Sequence, residues 1–347
     1  MKVLIATTEN PFVDGGAAMI VTWLDEVLRE RGHKVDTLRF PFSDESGDIL
    51  EQTMALRLVD VSEHGDRLIT VRSPSYMLKH PRKTCWFIHH YRSAYDLWGT
   101  KYQSLPSTPE GDATRQAIIA ADNVALRECT PLFCNSRVVR QRMKQYNGLD
   151  SEVLYPPLRN PEQFHYNECG DFLLYFSRLT HHKRQWLAVE GMRFTKTPVR
   201  LVLAGKGDPA SELYVQELKA MIARYRLGDR VTLMDRWVGQ DEKVRLFADC
   251  LAAIYFPFDE DSYGYPSLEA HASGKAVLTT ADSGGTIELI EDGNNGVVAP
   301  NDPELIGEAM DNLYRNKSLT RQMGQAGAQR VEQLDINWDH VVERLLA

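Results

Sequence analysis

Short apolar runs alternate with helical patterns along this chain, and the alternation is what most limits its fold. Parallel strands need a crossover connection, usually a helix, so repeated strand–helix–strand patterns predict a parallel sheet covered by helices. Residues 2–7 form the first apolar run, and residues 17–31 form a helical pattern that ends at Gly32. The chain is therefore predicted to be an α/β protein.

The alternation starts twice, which predicts two sheets. Apolar runs of the first half lie at residues 2–7, 35–38, 68–72, 84–89, 131–135 and 152–155. Those of the second half lie at residues 172–176, 199–204, 231–234, 252–256 and 276–280. Ligands of doubly wound sheets collect at the carboxyl ends of the strands. We therefore predict two Rossmann-like, doubly wound domains that face a central cleft.

The length of 347 residues also favours two domains, because it exceeds what one hydrophobic core usually organises. The pattern becomes irregular around Pro156-Pro157, and residues 160–170 have the composition of a linker. We predict an N-terminal domain over residues 1–165 and a C-terminal domain over residues 166–330. A last segment, residues 331–347, contains a predicted helix at 338–346.

The composition is that of a soluble globular protein, with 43% hydrophobic and 25% charged residues. No apolar run approaches the roughly 18 residues of a membrane-spanning helix. The first ten residues predict a strand, not a signal peptide. The five cysteines are odd in number and include no C-x-x-C pair, which favours reduced thiols and a cytoplasmic location.

The net charge of −8 lies mainly in the second half of the chain. Residues 1–165 hold 20 Lys and Arg against 21 Asp and Glu, and the remainder holds 20 against 27. This balance argues against nucleic-acid binding, which needs many Lys and Arg contacts to phosphate. Basic stretches at residues 79–83 and 137–144 have two interpretations. They are a solvated face, or they provide peripheral contact with an anionic acceptor or the inner face of a membrane.

One segment, residues 259–275, carries the densest set of candidate binding groups. Asp261 and Glu269 stand eight residues apart, with Gly264 and Pro266 between them. Proline is tolerated in a first helical turn, where its missing N–H would have no partner. The segment therefore predicts a glycine loop followed by a helix that begins near Pro266.

The start of this predicted helix suits a phosphate group. The backbone N–H groups of Ser267 and Leu268 would point out of the helix end, an arrangement that binds anions. Glu269 stands one turn into the helix and could accept hydrogen bonds from a ribose diol. Together these groups predict a pocket for a nucleoside diphosphate with a polyhydroxylated group attached.

The acidic run Asp259-Glu260-Asp261 also has the D-x-D form that can coordinate a divalent cation. No further set of carboxylates or histidines stands at ligand spacing, and a helix start can neutralise phosphate without metal. We therefore predict a site that requires no metal.

Two glycines, Gly15 and Gly16, follow the first predicted strand and open the first helix. Glycines at a helix start let a ligand approach the backbone N–H donors closely. The alternative is an ordinary tight turn. The sequence here is not G-x-G-x-x-G, and no acidic residue completes a dinucleotide fingerprint, so a hydride-transfer enzyme is disfavoured.

Further candidates follow other strands. His89 and His90 come directly after the apolar residues 85–88, where a histidine is either structural or part of a site. Arg178 and Lys183 follow the run at residues 172–176 and could flank a pyrophosphate. Residues 283–286, Ser-Gly-Gly-Thr, line the same pocket or form a simple turn.

These motifs, in this order, resemble glycosyltransferase family 4, the retaining transferases of the GT-B fold, over essentially the whole chain. The strongest match runs from Asp261 to Glu269 and resembles the family's E-x7-E signature. Its first acid is aspartate, and Glu260 stands beside it, so either carboxylate could fill that position. The other matching pieces are Ser177-Arg178-Leu179 with Lys183, Gly15-Gly16, Ile88-His89-His90, residues 231–238, residues 272–277 and Gly284-Gly285.

The resemblance implies a role for each of these residues. Arg178 and Lys183 would stabilise the departing diphosphate, and Glu269 would hold the ribose. His89 would contact the transferred sugar, and the main chain near Arg236 and Trp237 would meet the base. The predicted catalytic residues are His89, Arg178, Lys183 and Asp261. The predicted donor-binding residues are Gly15, Gly16, Arg178, Lys183, Arg236, Trp237, Glu260, Asp261, Tyr263, Gly264, Ser267, Leu268 and Glu269.

The resemblance implies a metal-independent, retaining glycosyltransferase. Its C-terminal domain would bind a UDP- or GDP-sugar, and its N-terminal domain would bind the acceptor, a surface polysaccharide or lipid-linked glycan. The helix at residues 338–346 resembles the family's last helix, which crosses back onto the first domain. Two alternatives stay open: a nucleotide-sugar epimerase or phosphorylase on a similar fold, and a catalytically silent scaffold that binds nucleotide-sugar.

Overall fold

Two parallel β-sheets organise the chain. The computed structural model describes residues 1–11, 15–43, 47–168, 170–207, 211–260 and 262–347, and within these residues each sheet has six strands. The sheets belong to two compact units, one formed by Met1–Pro157 with Asn337–Ala347 and the other by Leu158–Ile336. The strand pairs within both sheets are parallel, as the alternation of apolar runs and helices predicted.

In the first unit the strands stand in the order β2-β1-β3-β4-β5-β6. They are β1 (Lys2–Glu9), β2 (Lys34–Pro41), β3 (Arg67–Thr70), β4 (Lys83–Phe87), β5 (Leu132–Cys134) and β6 (Glu152–Val153). The helices between them are α1 (Gly16–Glu30), α2 (Ile49–Arg57), α3 (Pro109–Arg127) and α4 (Arg137–Asn147). The strand order changes direction beside β1, which brings the carboxyl ends of β1 and β3 to a switch point of the sheet.

In the second unit the order is β12-β11-β10-β7-β8-β9. The strands are β7 (Phe172–Phe176), β8 (Arg200–Gly205), β9 (Val231–Asp235), β10 (Ala252–Ile254), β11 (Val277–Thr280) and β12 (Gly296–Ala299). The helices are α5 (Gln185–Met192), α6 (Glu212–Arg224), α7 (Gln240–Asp249), α8 (Tyr265–Ala272), α9 (Pro303–Arg315) and α10 (Lys317–Gln333). β12 was not among the predicted strands, because four residues at a sheet edge leave little periodic signal.

The last helix, α11 (Trp338–Leu346), packs on the first unit although the second unit precedes it in the chain. The ring of Trp338 meets that of Trp86 edge-on, with centroids 6.2 Å apart. The Arg67 guanidinium donates a hydrogen bond of 3.0 Å to the carbonyl oxygen of Leu345. These contacts attach the C-terminus to the sheet of the first unit.

The unit boundaries differ from the predicted ones. The first unit ends at Pro157, ahead of the predicted end at residue 165, because the segment after it packs on the second unit. There Phe164 is buried against Phe247 of α7. The predicted boundary after residue 330 falls inside α10, and the second unit continues to Ile336. A composition typical of a linker therefore did not mark where packing changes.

A buried polar network follows β4 in the first unit. The hydroxyls of Tyr76 and Tyr95 donate to the two oxygens of Asp122, at 2.7 and 2.6 Å. His90 packs its ring against Tyr95, with centroids 4.2 Å apart, and its Nε2 lies 2.8 Å from Oδ1 of Asn147. Burial lowers the pKa of His90 to about 4 and raises the pKa of Asp122 to about 6. His90 is therefore a core residue. Of the two interpretations of this histidine, a structural residue or part of a site, the structure favours the first.

These two groups act on stability with opposite signs. The pKa of His90 is lower in the folded state than in the unfolded state. Its contribution to the free energy of unfolding is therefore fully present above pH 6.5 and is lost as the pH falls to about 4. The pKa of Asp122 is higher in the folded state than in the unfolded state. Its contribution to the free energy of unfolding is therefore present near pH 4 and is lost as the pH rises to about 6. Each effect is on the order of 3 kcal/mol.

We expect Asp122→Asn to make the free energy of unfolding rise more steeply with pH between 4 and 6. The substitution removes the loss of stability that Asp122 causes as the pH rises. We expect His90→Gln to make the same slope less positive. Urea unfolding at pH 4, 5 and 6 measures both slopes against wild type. Slopes that stay unchanged, or move in the same direction, would contradict these roles.

Candidate functional site

The carboxyl ends of β7 and β10 bring three polar side chains of the second unit together. The Lys183 ammonium forms an ion pair with Glu260 and donates a hydrogen bond of 2.7 Å to the Tyr255 hydroxyl. That hydroxyl in turn donates to Oε2 of Glu260 over 3.1 Å. The Lys183 and Glu260 side chains are largely buried, at 11% and 22% exposure. A predicted diphosphate-binding cation is thus held in place by two groups that lie far from it in sequence.

Tyr255 was not predicted as a site residue. Burial raises the pKa of its hydroxyl well above the ordinary value, and the Glu260 carboxylate raises it further, so the group stays a neutral donor. The ring also lies beneath the glycine loop. A Cβ atom at Gly264 would stand 2.3 Å from the Tyr255 ring, and Gly264 has a φ of +69°. Glycine is therefore required at Gly264 by both space and conformation.

Arg184, the neighbour of Lys183, fixes the loop that follows β10. Its guanidinium makes two hydrogen bonds to Asp282, at 2.7 and 2.8 Å, and donates to the carbonyl oxygens of Phe256 and Pro257. Its side chain is 4% exposed. In sequence Arg184 is simply the end of a basic run. Only the fold shows that Lys183 faces the cluster while Arg184 is buried behind it.

Helix α8 begins at Tyr265 with Pro266 in its first turn, as predicted. One expectation about this helix is wrong. The N–H of Ser267 does not point out of the helix end but donates to the carbonyl oxygen of Gly264 over 3.1 Å, because the first turn closes on its own N-cap. The side chains of Tyr263, Ser267 and Leu268 are buried.

Glu269 lies one turn into α8, and its side chain is 4% exposed. Burial raises the pKa of this carboxyl, and the Lys243 ammonium opposes that rise from 2.6 Å away. Lys243 comes from α7 and was missed in the sequence, where it stands among other charged residues of that helix, Asp241, Glu242 and Arg245. Its position opposite Glu269 depends on how α7 packs against α8.

The remaining predicted donor-binding residues of this unit lie at its surface. Arg178 is exposed just after β7. Arg236 follows β9 and pairs with Glu242, at 2.5 and 2.8 Å. Trp237 is 70% exposed, which is unusual for so large an apolar ring. Asp261 lies outside the described residues, so its predicted catalytic role stays a prediction.

The glycine pair at residues 284–285 packs directly on the acidic segment. Gly284 has a φ of +61°, and a Cβ atom there would stand 2.4 Å from the carbonyl oxygen of Glu260. The N–H of Gly285 donates to that same oxygen over 2.7 Å. The segment is therefore more than a simple turn, because it holds the backbone of Glu260 beside Lys183.

In the first unit, Gly15 is the N-cap of α1, and no acidic residue occupies the first turn of that helix. Gly15 has an ordinary extended conformation, and a Cβ atom there would meet nothing within 4 Å. The described neighbours thus leave room for a side chain at this N-cap, and the approach of a ligand stays a prediction. His89 follows β4 and is half-buried, with its Nδ1 2.7 Å from the carbonyl oxygen of His90.

Among the described residues, no three His, Cys, Asp or Glu side chains are grouped so that they could hold a metal ion. None of the helices in the described ranges is both long enough and apolar enough to cross a membrane. Metal independence and peripheral membrane contact both stay predictions.

Comparison with known proteins finds a family match within the second unit. The family model described as glycosyl transferases group 1 matches residues 159–330. The human alpha-1,3/1,6-mannosyltransferase ALG2 is 30% identical over 218 residues, covering 56% of this chain and 51% of the relative. The D-inositol 3-phosphate glycosyltransferase of Streptomyces coelicolor is 30% identical over 143 residues, covering 40% of this chain and 30% of the relative. The chain thus spans about half the length of the first relative and less of the second.

Solved structures match over the whole chain. Sucrose-phosphate synthase from Thermosynechococcus elongatus has a TM-score of 0.77 at 16% identity, covering 99% of this chain and 97% of that one. HepE of Anabaena, in complex with UDP and glucose, has a TM-score of 0.72 at 16% identity, covering 99% of both chains. WaaG, a glycosyltransferase of lipopolysaccharide biosynthesis, has a TM-score of 0.70 at 15% identity, covering 96% of both. The predicted GT-B fold is confirmed.

We expect Gly264→Ala to destabilise the second unit, because the added methyl group collides with the Tyr255 ring. The backbone conformation costs about 1–3 kcal/mol, and the overpacking costs about 1–3 kcal/mol more. Gly293→Ala is the matched control, since Gly293 also has a positive φ but open space around it. Denaturant unfolding compares the two variants. Equal losses of stability would show that the contact with Tyr255 does not matter.

Proposed function

We propose that this chain is a retaining glycosyltransferase that uses a nucleotide-sugar donor without a metal ion, in keeping with the match of residues 159–330 to the glycosyl transferases group 1. The second unit would bind the donor, and the first unit would bind the acceptor. One observation supports this most strongly. Lys183, Tyr255 and Glu260 form a cluster at the carboxyl ends of the second sheet, where ligands of such sheets bind.

The chemical demand is charge stabilisation. When the bond between sugar and diphosphate breaks, negative charge gathers on the diphosphate. Donors that are already in place are usually the largest contribution to catalysis in such a step. Lys183 is fixed by Tyr255 and Glu260, and the exposed Arg178 offers a planar guanidinium for a second phosphate oxygen. Both cations would act as electrostatic stabilisers of the leaving group.

The Lys183–Glu260 pair adds a condition to donor binding. A diphosphate that contacts Lys183 must share this cation with the Glu260 carboxylate. The shared cation would partly offset the repulsion between carboxylate and phosphate. Glu260 therefore belongs to the donor site in this proposal, while Asp261 keeps the formal first position of the acidic signature.

The donor and acceptor are proposed by analogy. HepE is solved with UDP and glucose, and ALG2 is named a mannosyltransferase, which supports a UDP- or GDP-sugar as the donor. WaaG acts in lipopolysaccharide biosynthesis, which supports a glycan or lipid-linked acceptor. His89 would contact the transferred sugar from the first unit, and the α1 start at Gly15 and Gly16 would provide N–H donors to a ligand.

Calorimetric titration with UDP, GDP and ADP, in the presence of a chelator, tests donor binding. We expect micromolar binding of one nucleotide, which is lost in Glu269→Ala. Binding that requires added Mg²⁺ would contradict metal independence. If none of the three nucleotides binds, the phosphorylase or silent-scaffold alternative gains support.

We expect Lys183→Ala to lower turnover on the order of 10²-fold or more, as the loss of one preorganised donor does in other enzymes. Lys219→Ala is the matched control, because Lys219 is an exposed lysine of the same unit, 3.7 Å from Asp235. Turnover is measured as sugar transfer from the nucleotide-sugar that binds. Unchanged turnover in Lys183→Ala would exclude this residue as a catalytic group.

A further inference from the structure

Glu269 is a carboxylate with very little water around it. Its side chain is 4% exposed, and α8 buries its neighbours Ser267, Leu268 and Ala270 as well. An ionised carboxylate in such a place is costly unless a positive charge and hydrogen bonds compensate for the lost water. The proposed ribose contact needs the ionised form, because only this form is purely an acceptor for both hydroxyls of a diol.

Lys243 provides the positive charge. Its Nζ lies 2.6 Å from Oε1 of Glu269, and its side chain is 14% exposed. Within the described residues, the Lys243 ammonium lowers the pKa of Glu269 against the effect of burial. One carboxylate oxygen is thus bound to Lys243, which leaves Oε2 to accept from a ligand.

The surroundings of Lys243 restrict where its ammonium can go. The Nζ lies 5.8 Å from the ring centre of Phe164 and 5.9 Å from that of Phe176. Phe247 packs against both rings, with centroids 6.1 and 5.7 Å away. Aromatic faces attract a cation within about 6 Å. This enclosure, which comes from the start of the second unit, β7 and α7, holds the ammonium beside Glu269.

From this juxtaposition we infer that Lys243 is a positioning residue for ribose recognition: the enclosed ammonium binds one oxygen of Glu269 and keeps the carboxylate ionised and oriented toward the 2′ and 3′ hydroxyls of the donor nucleotide. The inference rests on the proposed function and extends it by a residue outside the acidic signature. Lys243 acts through Glu269 and does not itself touch the nucleotide.

A comparison of nucleotides with and without the diol isolates this role. Calorimetry with UDP and GDP, each beside its 2′,3′-dideoxy counterpart, is carried out at pH 6, 7 and 8. Wild type is expected to prefer the ribonucleotide by roughly tenfold or more, as hydrogen bonds to a charged group imply. This preference should change little with pH, because the Lys243 ammonium opposes the rise that burial causes in the pKa of Glu269.

Lys243→Met is expected to lose the diol preference at pH 6 and to regain part of it at pH 8. Without the ammonium, nothing opposes the rise that burial causes in the pKa of Glu269, so the carboxyl takes up its proton at a higher pH than in wild type. Binding of the dideoxy nucleotides should stay within about threefold of wild type, because their diphosphate and base contacts are untouched. Lys243→Arg keeps the charge and should keep the flat pH profile. Lys219→Met serves as the control for loss of a lysine.

The outcomes separate this inference from the proposed function. A folded Lys243→Met with the wild-type diol preference at every pH would show that the ion pair only stabilises the fold. Equal binding of ribonucleotides and dideoxynucleotides by wild type would overturn ribose recognition by Glu269 and leave nucleotide binding intact. Absence of any nucleotide binding by wild type would overturn both. If Lys243→Met does not fold, a wild-type preference that falls from pH 8 to pH 6 still contradicts the inference.

Discussion

Charged groups removed from water must be paired, and this constraint shapes the second unit more than any other. Lys183, Arg184 and Glu269 are all largely or fully buried, and each has an oppositely charged partner. A lone charge in such a setting would be neutralised or would destabilise the fold. For Lys183 and Glu269, the partners therefore fix the positions of groups that the proposed chemistry uses.

Each of these pairs connects elements that are distant in the sequence. Arg184 ties the turn before α5 to the carboxyl ends of β10 and β11, through Phe256 and Asp282. Lys243 ties α7 to α8 through Glu269. A residue that joins two elements in this way transmits any displacement of one element to the other. Loss of one partner is therefore expected to affect stability and the geometry of the site together.

Glycines set the closest approaches around the same cluster. Gly264 lies against the Tyr255 ring, and Gly284 lies against the backbone of Glu260. Both have positive φ values and no room for a side chain, so the protein itself requires glycine there. Gly15 differs, because neither its conformation nor the described neighbours require glycine. The approach of a ligand to Gly15 therefore stays a prediction.

The sequence alone determined much about this protein. The repeated alternation of apolar runs and helices predicted the two parallel sheets and the candidate Lys183 after a strand. Residues 259–269 predicted the helix opened by Pro266 and the candidate Glu269. These features are local, since strand periodicity and helix starts depend on neighbouring residues. Tertiary structure decided the rest. It buried His90, enclosed Lys243 beside Glu269, placed Tyr255 and Glu260 on Lys183, and ended the first unit at Pro157. Those outcomes depend on which distant side chains share a space from which water is excluded, and no local pattern records that.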